Sequence, residues 1–224
     1  MTEVVIADTS RFYDGHRLPL RVLFTTISRT HAKGTGRMPN SGGVVLACNH
    51  LSMLDPWLLG VLLPRQLYFM AKEELFQITP LGWYLRHAGT FPVRRGEVDR
   101  TAFKYAEALL RQGEIVMVFP EGHRSDFGGA QAARSGAVML ATRTNSPILP
   151  VGVWGTENLR LKQPLPRLLR KLASRPAFNV NVGEPFYLGE KCHGAAKRQA
   201  SDLVMRKIIE LLPPAYHGVY TAEA

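Results

Sequence analysis

Beyond residue 40 the chain alternates between short continuous apolar runs and longer stretches in which apolar residues recur every three or four positions. The runs at 43–48, 66–70, 114–119, 147–153 and 177–182 predict strands. The stretches at 55–64, 100–112, 133–143 and 195–212 carry helical periodicity. Strands alternating with helices predict an α/β fold, a single domain with a mostly parallel mixed sheet flanked by helices. Pro150 inside the fourth run predicts an edge, a bulge or a strand end, because proline cannot donate to a ladder. The first forty residues differ: an amphipathic segment, Leu18 to Ile27, precedes a Gly/Pro-rich link at 33–43. Residues 1–40 are therefore expected as an N-terminal arm, 41–213 as the main domain and 214–224 as a C-terminal tail. No internal repeat or low-complexity tract breaks this plan.

Composition narrows the class. A chain of 224 residues that is 46% hydrophobic supports one substantial core. The net charge of +10 and pI near 9.9 imply attraction to nucleic acid, an anionic membrane surface or phosphorylated substrates. Nucleic acid is set aside, since neither a ribonucleoprotein module nor basic residues interleaved with aromatics are found. Cys48 and Cys192 form neither a disulfide framework nor a metal cluster, which suits a reducing, cytoplasmic setting. No apolar stretch is long enough to span a bilayer, and the first residues, with Thr2, Glu3 and Asp8, lack the basic start of a signal peptide. Two segments read either as ordinary packing helices or as feet on an anionic membrane surface. One is Leu18 to Ile27 with Arg17, Arg21 and Arg29 around it; the other is Arg160 to Arg175, with Leu165, Leu168, Leu169 and Leu172 at helical spacing among basic residues.

Candidate chemistry concentrates in Asn49-His50-Leu51-Ser52-Met53-Leu54-Asp55-Pro56. A His held by a carboxylate can take a proton from a hydroxyl near neutral pH. Five residues of α-helix turn through roughly 500°, so His50 and Asp55 meet only if the backbone turns between them. The spacing predicts a strand ending at Cys48, a turn carrying His50, and a helix capped by Asp55 with Pro56 at its first position. On these residues alone a second reading stands, with Asp55 as a cap and His50 as a polar turn residue. Arg94 and Arg95, in a turn bounded by Gly89 and Gly96, offer planar forks for phosphate or are solvated surface charge. The run Val116 to Phe119 delivers Pro120, Glu121, Gly122, His123 and Arg124 at its carboxyl end, where ligands gather in open α/β sheets. There Glu121 orients a donor and Arg124 binds an anion, or the two form a surface pair.

Other chemistries lack their signatures. There is no Gly-x-Ser-x-Gly and no phosphate-binding loop, and Gly34-Thr35-Gly36 lacks the third glycine of a dinucleotide fingerprint. The histidines 50, 87, 123, 193 and 217 do not fall at metal spacing, so no cofactor and no metal are expected. Cys48, two residues before His50, is a conceivable thiol nucleophile, although free cysteine more often fills a core.

Taken together and in order, these segments resemble the lysophosphatidic acid acyltransferase, or glycerolipid acyltransferase, family. Asn49, His50 and Asp55 match its first motif; Phe91, Pro92, Val93, Arg94 and Arg95 match the second. Phe119, Pro120, Glu121, Gly122, Arg124 and Ser125 match the third, with His123 standing where Thr is usual. Pro150 centres the fourth, and Ala71 to Leu75 is also similar to the family. The likeness covers about residues 40–185. It implies an O-acyltransferase in which His50 is the general base and Asp55 holds its ring, moving an acyl group from an acyl-CoA or acyl-carrier protein to 1-acylglycerol 3-phosphate without an acyl-enzyme. It further implies that Arg94, with Arg95 as the less favoured neighbour, and Glu121, Gly122 and Arg124 bind the acceptor phosphate. The alternative is the same chemistry on glycerol 3-phosphate, another lysophospholipid or an amino-acid-containing lyso-lipid, and His123, a ring in place of a small hydroxyl, bears on that choice. Acting on lipids without a span, such a protein is expected to be cytoplasmic and peripherally attached to the membrane.

Overall fold

The computed structural model describes residues 9–94, 99–125, 129–159, 164–189 and 195–221. In chain order its main elements are α1 (Ser10–Ile27), β1 (Arg29–Lys33), β2 (Val44–Cys48), α2 (Asp55–Leu62), β3 (Leu67–Lys72), α3 (Leu81–His87), β4 (Thr90–Val93), α4 (Arg100–Arg111), β5 (Ile115–Val118), α5 (Gly136–Thr144), β6 (Ile148–Trp154), α6 (Leu165–Ala173), β7 (Ala177–Val182) and α7 (Ala195–Ile209). The strands form one seven-stranded sheet in the order β1-β7-β6-β2-β5-β3-β4, parallel throughout except between β6 and β7. The mostly parallel mixed α/β sheet expected from the sequence is therefore the fold.

Alternation along the strands sends side chains to two separate cores. Val44, Leu46 and Cys48 of β2 face a cluster shared with Leu58 and Leu59 of α2 and Phe24 of α1. Val45 and Ala47 face the opposite cluster, filled by Leu109 of α4, Leu140 of α5 and Ile208 of α7. The central strands are buried on both faces, which is why they read as continuous apolar runs.

Two strands escape that signal. β1, Arg-Thr-His-Ala-Lys, is almost wholly exposed and pairs in parallel with β7 from Arg29 to Lys33, although it falls in the segment expected as an arm. β4 is short, carries Pro92 and forms the other edge. α1 starts at Ser10, well before the expected Leu18, and is held to α2 by the Tyr13 hydroxyl, which donates to the Gly60 carbonyl at 3.0 Å.

Pro150 lies in an interior strand, not an edge. Val151 pairs with Val182 and Ile148 with Phe186, so two residues on β6 oppose three on the returning chain. That is a bulge. Pro150 contributes its carbonyl to Gly183 N–H at 2.9 Å, and its missing donor falls where the ladder changes register.

The segment expected as a C-terminal tail is bonded to the body. Tyr216 and Val219 exchange main-chain hydrogen bonds with Ala130, and the Tyr220 hydroxyl accepts from Ala133 N–H at 3.1 Å.

Candidate active site

β6, β2 and β5 are neighbours and run parallel, so the residues following them gather at one end of the sheet. β2 delivers His50, β5 delivers Phe119 to Ser125, and β6 delivers Thr156. Asn49 fixes the exit of β2: its amide donates to the Val153 carbonyl at 2.7 Å and accepts from Val153 N–H at 2.8 Å, extending the ladder by one side chain.

The chain then turns, as the five-residue spacing required. His50 Nδ1 stands 2.9 Å from Asp55 Oδ2, and that oxygen also accepts the N–H groups of Leu51 at 2.8 Å and Ser52 at 2.7 Å. The other oxygen, Oδ1, accepts the Thr156 hydroxyl at 2.6 Å. Asp55 and Thr156 are completely buried. An ionised carboxylate can only accept, so His50 Nδ1 carries the proton and Nε2 is left with a free lone pair. Asp55 corrects one expectation, since it is the first residue of α2 with Leu54 in the capping position. Its carboxylate points back at the turn's own amides, because a turn of six residues leaving a buried strand has donors that need a partner.

Glu121, 2% exposed, is a second strut. One carboxylate oxygen accepts His50 N–H at 2.9 Å and the other accepts Gln131 N–H at 3.0 Å. Burial pushes its pKa above the ordinary carboxylate range, against the lowering effect of those two amides. Ser125 N–H donates to the His50 carbonyl at 2.8 Å, so both main-chain groups of His50 are held by the same loop. The imidazole stacks on Phe119 with centroids 3.8 Å apart.

Gly122 sits at φ +75° in the turn after β5. Arg124 and His123 are exposed beside it, and Arg124 makes no ion pair among the described residues. Arg94 follows β4, three strands from β2 and two from β5 at the same carboxyl end of the sheet, strand separations of about 14 Å and about 10 Å, and lines a cavity of about 450 Å³ with Arg86, Thr90, Phe91 and Tyr105. Its backbone N–H donates to Asp99 Oδ2 at 3.0 Å. Arg95, Cys192 and His193 lie outside the described residues. Cys48 ends in the core, fully buried, with its thiol pKa raised well above normal by that burial, which removes it as a nucleophile. No cluster of His, Cys, Asp or Glu suited to a metal occurs among the described residues.

Sequence reasoning missed Thr156 and Gln131. Thr156 had one usable signal, its position just past the carboxyl end of a buried strand. Gly155 makes the turn that brings it in, at φ +91°, where a Cβ would overlap the Ala177 carbonyl oxygen.

Comparison with known proteins identifies the family and the fold. The family model described as Acyltransferase matches residues 29–154, from β1 through β6. The chain belongs to the acyltransferase family. This acyltransferase is 29% identical over 181 residues to the 1-acyl-sn-glycerol-3-phosphate acyltransferase of Bacillus subtilis, covering 80% of this chain and 85% of that one. It is 28% identical over 176 residues to the enzyme of the same name from Streptococcus pneumoniae, covering 77% of this chain and 61% of that one. Its fold matches the crystal structure of the 1-acyl-sn-glycerophosphate acyltransferase PlsC from Thermotoga maritima, with a TM-score of 0.71, 25% identity, and coverage of 91% of this chain and 80% of that one.

Proposed function

We propose that this acyltransferase moves a fatty acyl group from an acyl thioester, acyl-CoA or acyl-carrier protein, to the free hydroxyl of 1-acylglycerol 3-phosphate, giving phosphatidic acid and a free thiol. The observation that carries the reading is His50 Nδ1 2.9 Å from Asp55 Oδ2, with the carboxylate completely buried and both its oxygens bonded. His50 Nε2 takes the hydroxyl proton as that oxygen attacks the thioester carbonyl. The tetrahedral intermediate collapses, the C–S bond breaks, and the thiolate recovers the proton from the imidazolium. Asp55 keeps the ring in the Nδ1–H tautomer and stabilises its charged form. Base catalysis of this kind is typically worth about 10²–10⁴-fold, so positioning of the two substrates supplies much of the remainder. The burial of Cys48 supports direct transfer without an acyl-enzyme.

In this reading Glu121 acts on His50 rather than on substrate, and Gly122 and Arg124 form the rim that meets the acceptor phosphate. Arg94, at the same carboxyl end of the sheet two strands from β5, is the further arginine assigned to the acceptor side. Names of the relatives favour 1-acylglycerol 3-phosphate as acceptor, while the exposed His123 at that rim favours testing glycerol 3-phosphate and other lysophospholipids beside it.

The membrane contact is assigned to α1 and α6. Among the described residues no helix is long and apolar enough to cross a membrane. Leu18, Val22 and Leu23 of α1 and Leu165 and Leu169 of α6 are exposed. Leu20 and Ile27 of α1 and Leu168 and Leu172 of α6 pack on the same core cluster, so the two exposed stripes lie on one side of the sheet. Arg21, Arg167 and Arg170 add positive charge there; Arg160 and Lys162 lie outside the described residues. Flotation with anionic but not neutral vesicles is the expected result, and equal recovery with both would exclude an electrostatic attachment.

The function is tested by thiol release from a long-chain acyl-CoA with and without lysophosphatidic acid, for the native chain and His50→Ala. Acceptor-dependent release that collapses in the variant is expected. Undiminished release in the variant would remove His50 from the mechanism.

A further inference from the structure

Nothing in the motifs points to residue 134, yet the fold carries Arg134 to the rim of the site. A Cβ built on Gly122 would lie only 2.7 Å from both Cδ and Nε of Arg134, so the arginine stem lies against the bare face of that glycine. The placement is anchored by two hydrogen bonds from the main chain. Arg134 N–H donates to the Pro120 carbonyl at 2.7 Å, and three residues earlier Gln131 N–H donates to Glu121 at 3.0 Å. The arginine is exposed and makes no ion pair among the described residues. α5 begins two residues later, at Gly136, with no side-chain cap on its first amides, so the positive end of its dipole lies close by in the chain. A cation with a fixed stem, next to the turn that holds His50, is arranged for an anion that comes from solvent.

We infer that Arg134 binds the phosphate of the acceptor, its guanidinium laid over Gly122 and acting with Arg124 across the turn. The assignment rests on the acyl-transfer reading above and names the residue that gives the acceptor site its charge selectivity. Glycine at 122 is then needed twice, for its positive φ and for the space the arginine occupies. Arginine suits the role because its fork can give two parallel hydrogen bonds to one phosphate, which lysine cannot.

The test uses Arg134→Gln and Arg134→Lys with two acceptors, a short-chain lysophosphatidic acid kept below its aggregation concentration and the matching 1-acylglycerol without phosphate. Losing a hydrogen bond between charged groups should raise KM for lysophosphatidic acid about 10- to 100-fold in Arg134→Gln. The lysine variant should recover part of this, kcat should stay within about threefold, and the uncharged acceptor should be unaffected. Unchanged KM would overturn the assignment, and so would equal losses on both acceptors accompanied by a lower melting temperature, the mark of a structural role. Calorimetric titration with the same lipid, without donor, separates this inference from the function it rests on. Binding by the native chain that weakens in Arg134→Gln supports the assignment even if no thiol is released, an outcome that would sink only acyl transfer. Equal binding by both proteins, or none by the native chain, overturns it.

Discussion

Replacing Asp55 with asparagine isolates the charge of the carboxylate from its geometry. Three donors converge on Oδ2, from His50 Nδ1, Leu51 N and Ser52 N, whereas Oδ1 meets one hydroxyl, that of Thr156. In Asp55→Asn the new side-chain amide therefore turns its oxygen toward the three donors and its NH₂ toward Thr156, whose hydroxyl can switch from donor to acceptor. Every hydrogen bond has a replacement and the His50 tautomer is kept. Each bond weakens from a charged to a neutral one, but a buried charge no longer has to be desolvated, so stability should change by no more than about 2 kcal/mol. What disappears is the attraction between the carboxylate and the imidazolium formed during proton transfer. With charge centres about 4 Å apart and an effective dielectric near 20, that attraction is worth about 4 kcal/mol, or roughly a thousandfold in kcat. Thiol release at saturating lysophosphatidic acid gives kcat, thermal melting gives stability, and nitrogen-15 chemical shifts of the ring report the tautomer. A loss of kcat below about tenfold with the tautomer retained would refute the electrostatic role. A loss accompanied by the Nε2–H tautomer would refute the orientation assigned to the amide.

Thr156→Val leaves Asp55 Oδ1 buried without its donor, and should cost about 1.5–3 kcal/mol, a fall of several degrees in melting temperature. Glu121→Gln tests the second strut through its pH dependence. Burial raises the Glu121 pKa above 4.5, so the folded state holds this proton more tightly than the unfolded state does. Its contribution to stability is full below about pH 4.5 and is lost as pH rises through the folded value, since the slope follows the excess of protons bound when folded. The stability difference, native minus Glu121→Gln, should therefore shrink as pH rises from that point; a difference that grows in urea titrations at successive pH values would contradict the assignment. Tyr13→Phe deletes the hydroxyl that reaches Gly60 and should cost about 1 kcal/mol by denaturant titration, leaving kcat unchanged. Ending the chain after Leu212 removes the partners of Ala130 and Ala133, and should lower kcat more than it lowers the melting temperature.

What could be read from the sequence divides along the reach of the interactions. His50 and Asp55 were legible because their contact is made within one turn, and the angle swept by five helical residues shows that a turn is required. Thr156 was not, because its contact with Asp55 exists only once β6 and β2 lie side by side, and strand order is not written in local periodicity; Arg134 was not, because the connection between β5 and α5 that folds it back onto Pro120 and Gly122 carries no periodic signal. The same order sets the strand before Arg94 two places from the strand before Arg124, a separation that motif spacing along the chain cannot reveal. β1 gave no signal because an exposed edge strand needs no apolar run, and its charged residues suit an edge by discouraging further pairing. The start of α1 was hidden by Gly15 and Pro19, poor helix residues outweighed by the burial of Tyr13 and Phe24 against the domain. Pro150 shows a sequence rule giving a choice that only pairing resolves, since of edge, bulge and strand end the register selects the bulge.

The hydrogen bonds from Tyr216, Val219 and Tyr220 reach Ala130 and Ala133, on either side of the Gln131 amide that holds Glu121, which in turn holds His50. The catalytic turn and its outermost brace thus lie about 170 residues apart in sequence, at His50 and at 216–220, and a shift of the later segment is passed to the imidazole through Ala130, the Gln131 amide and Glu121.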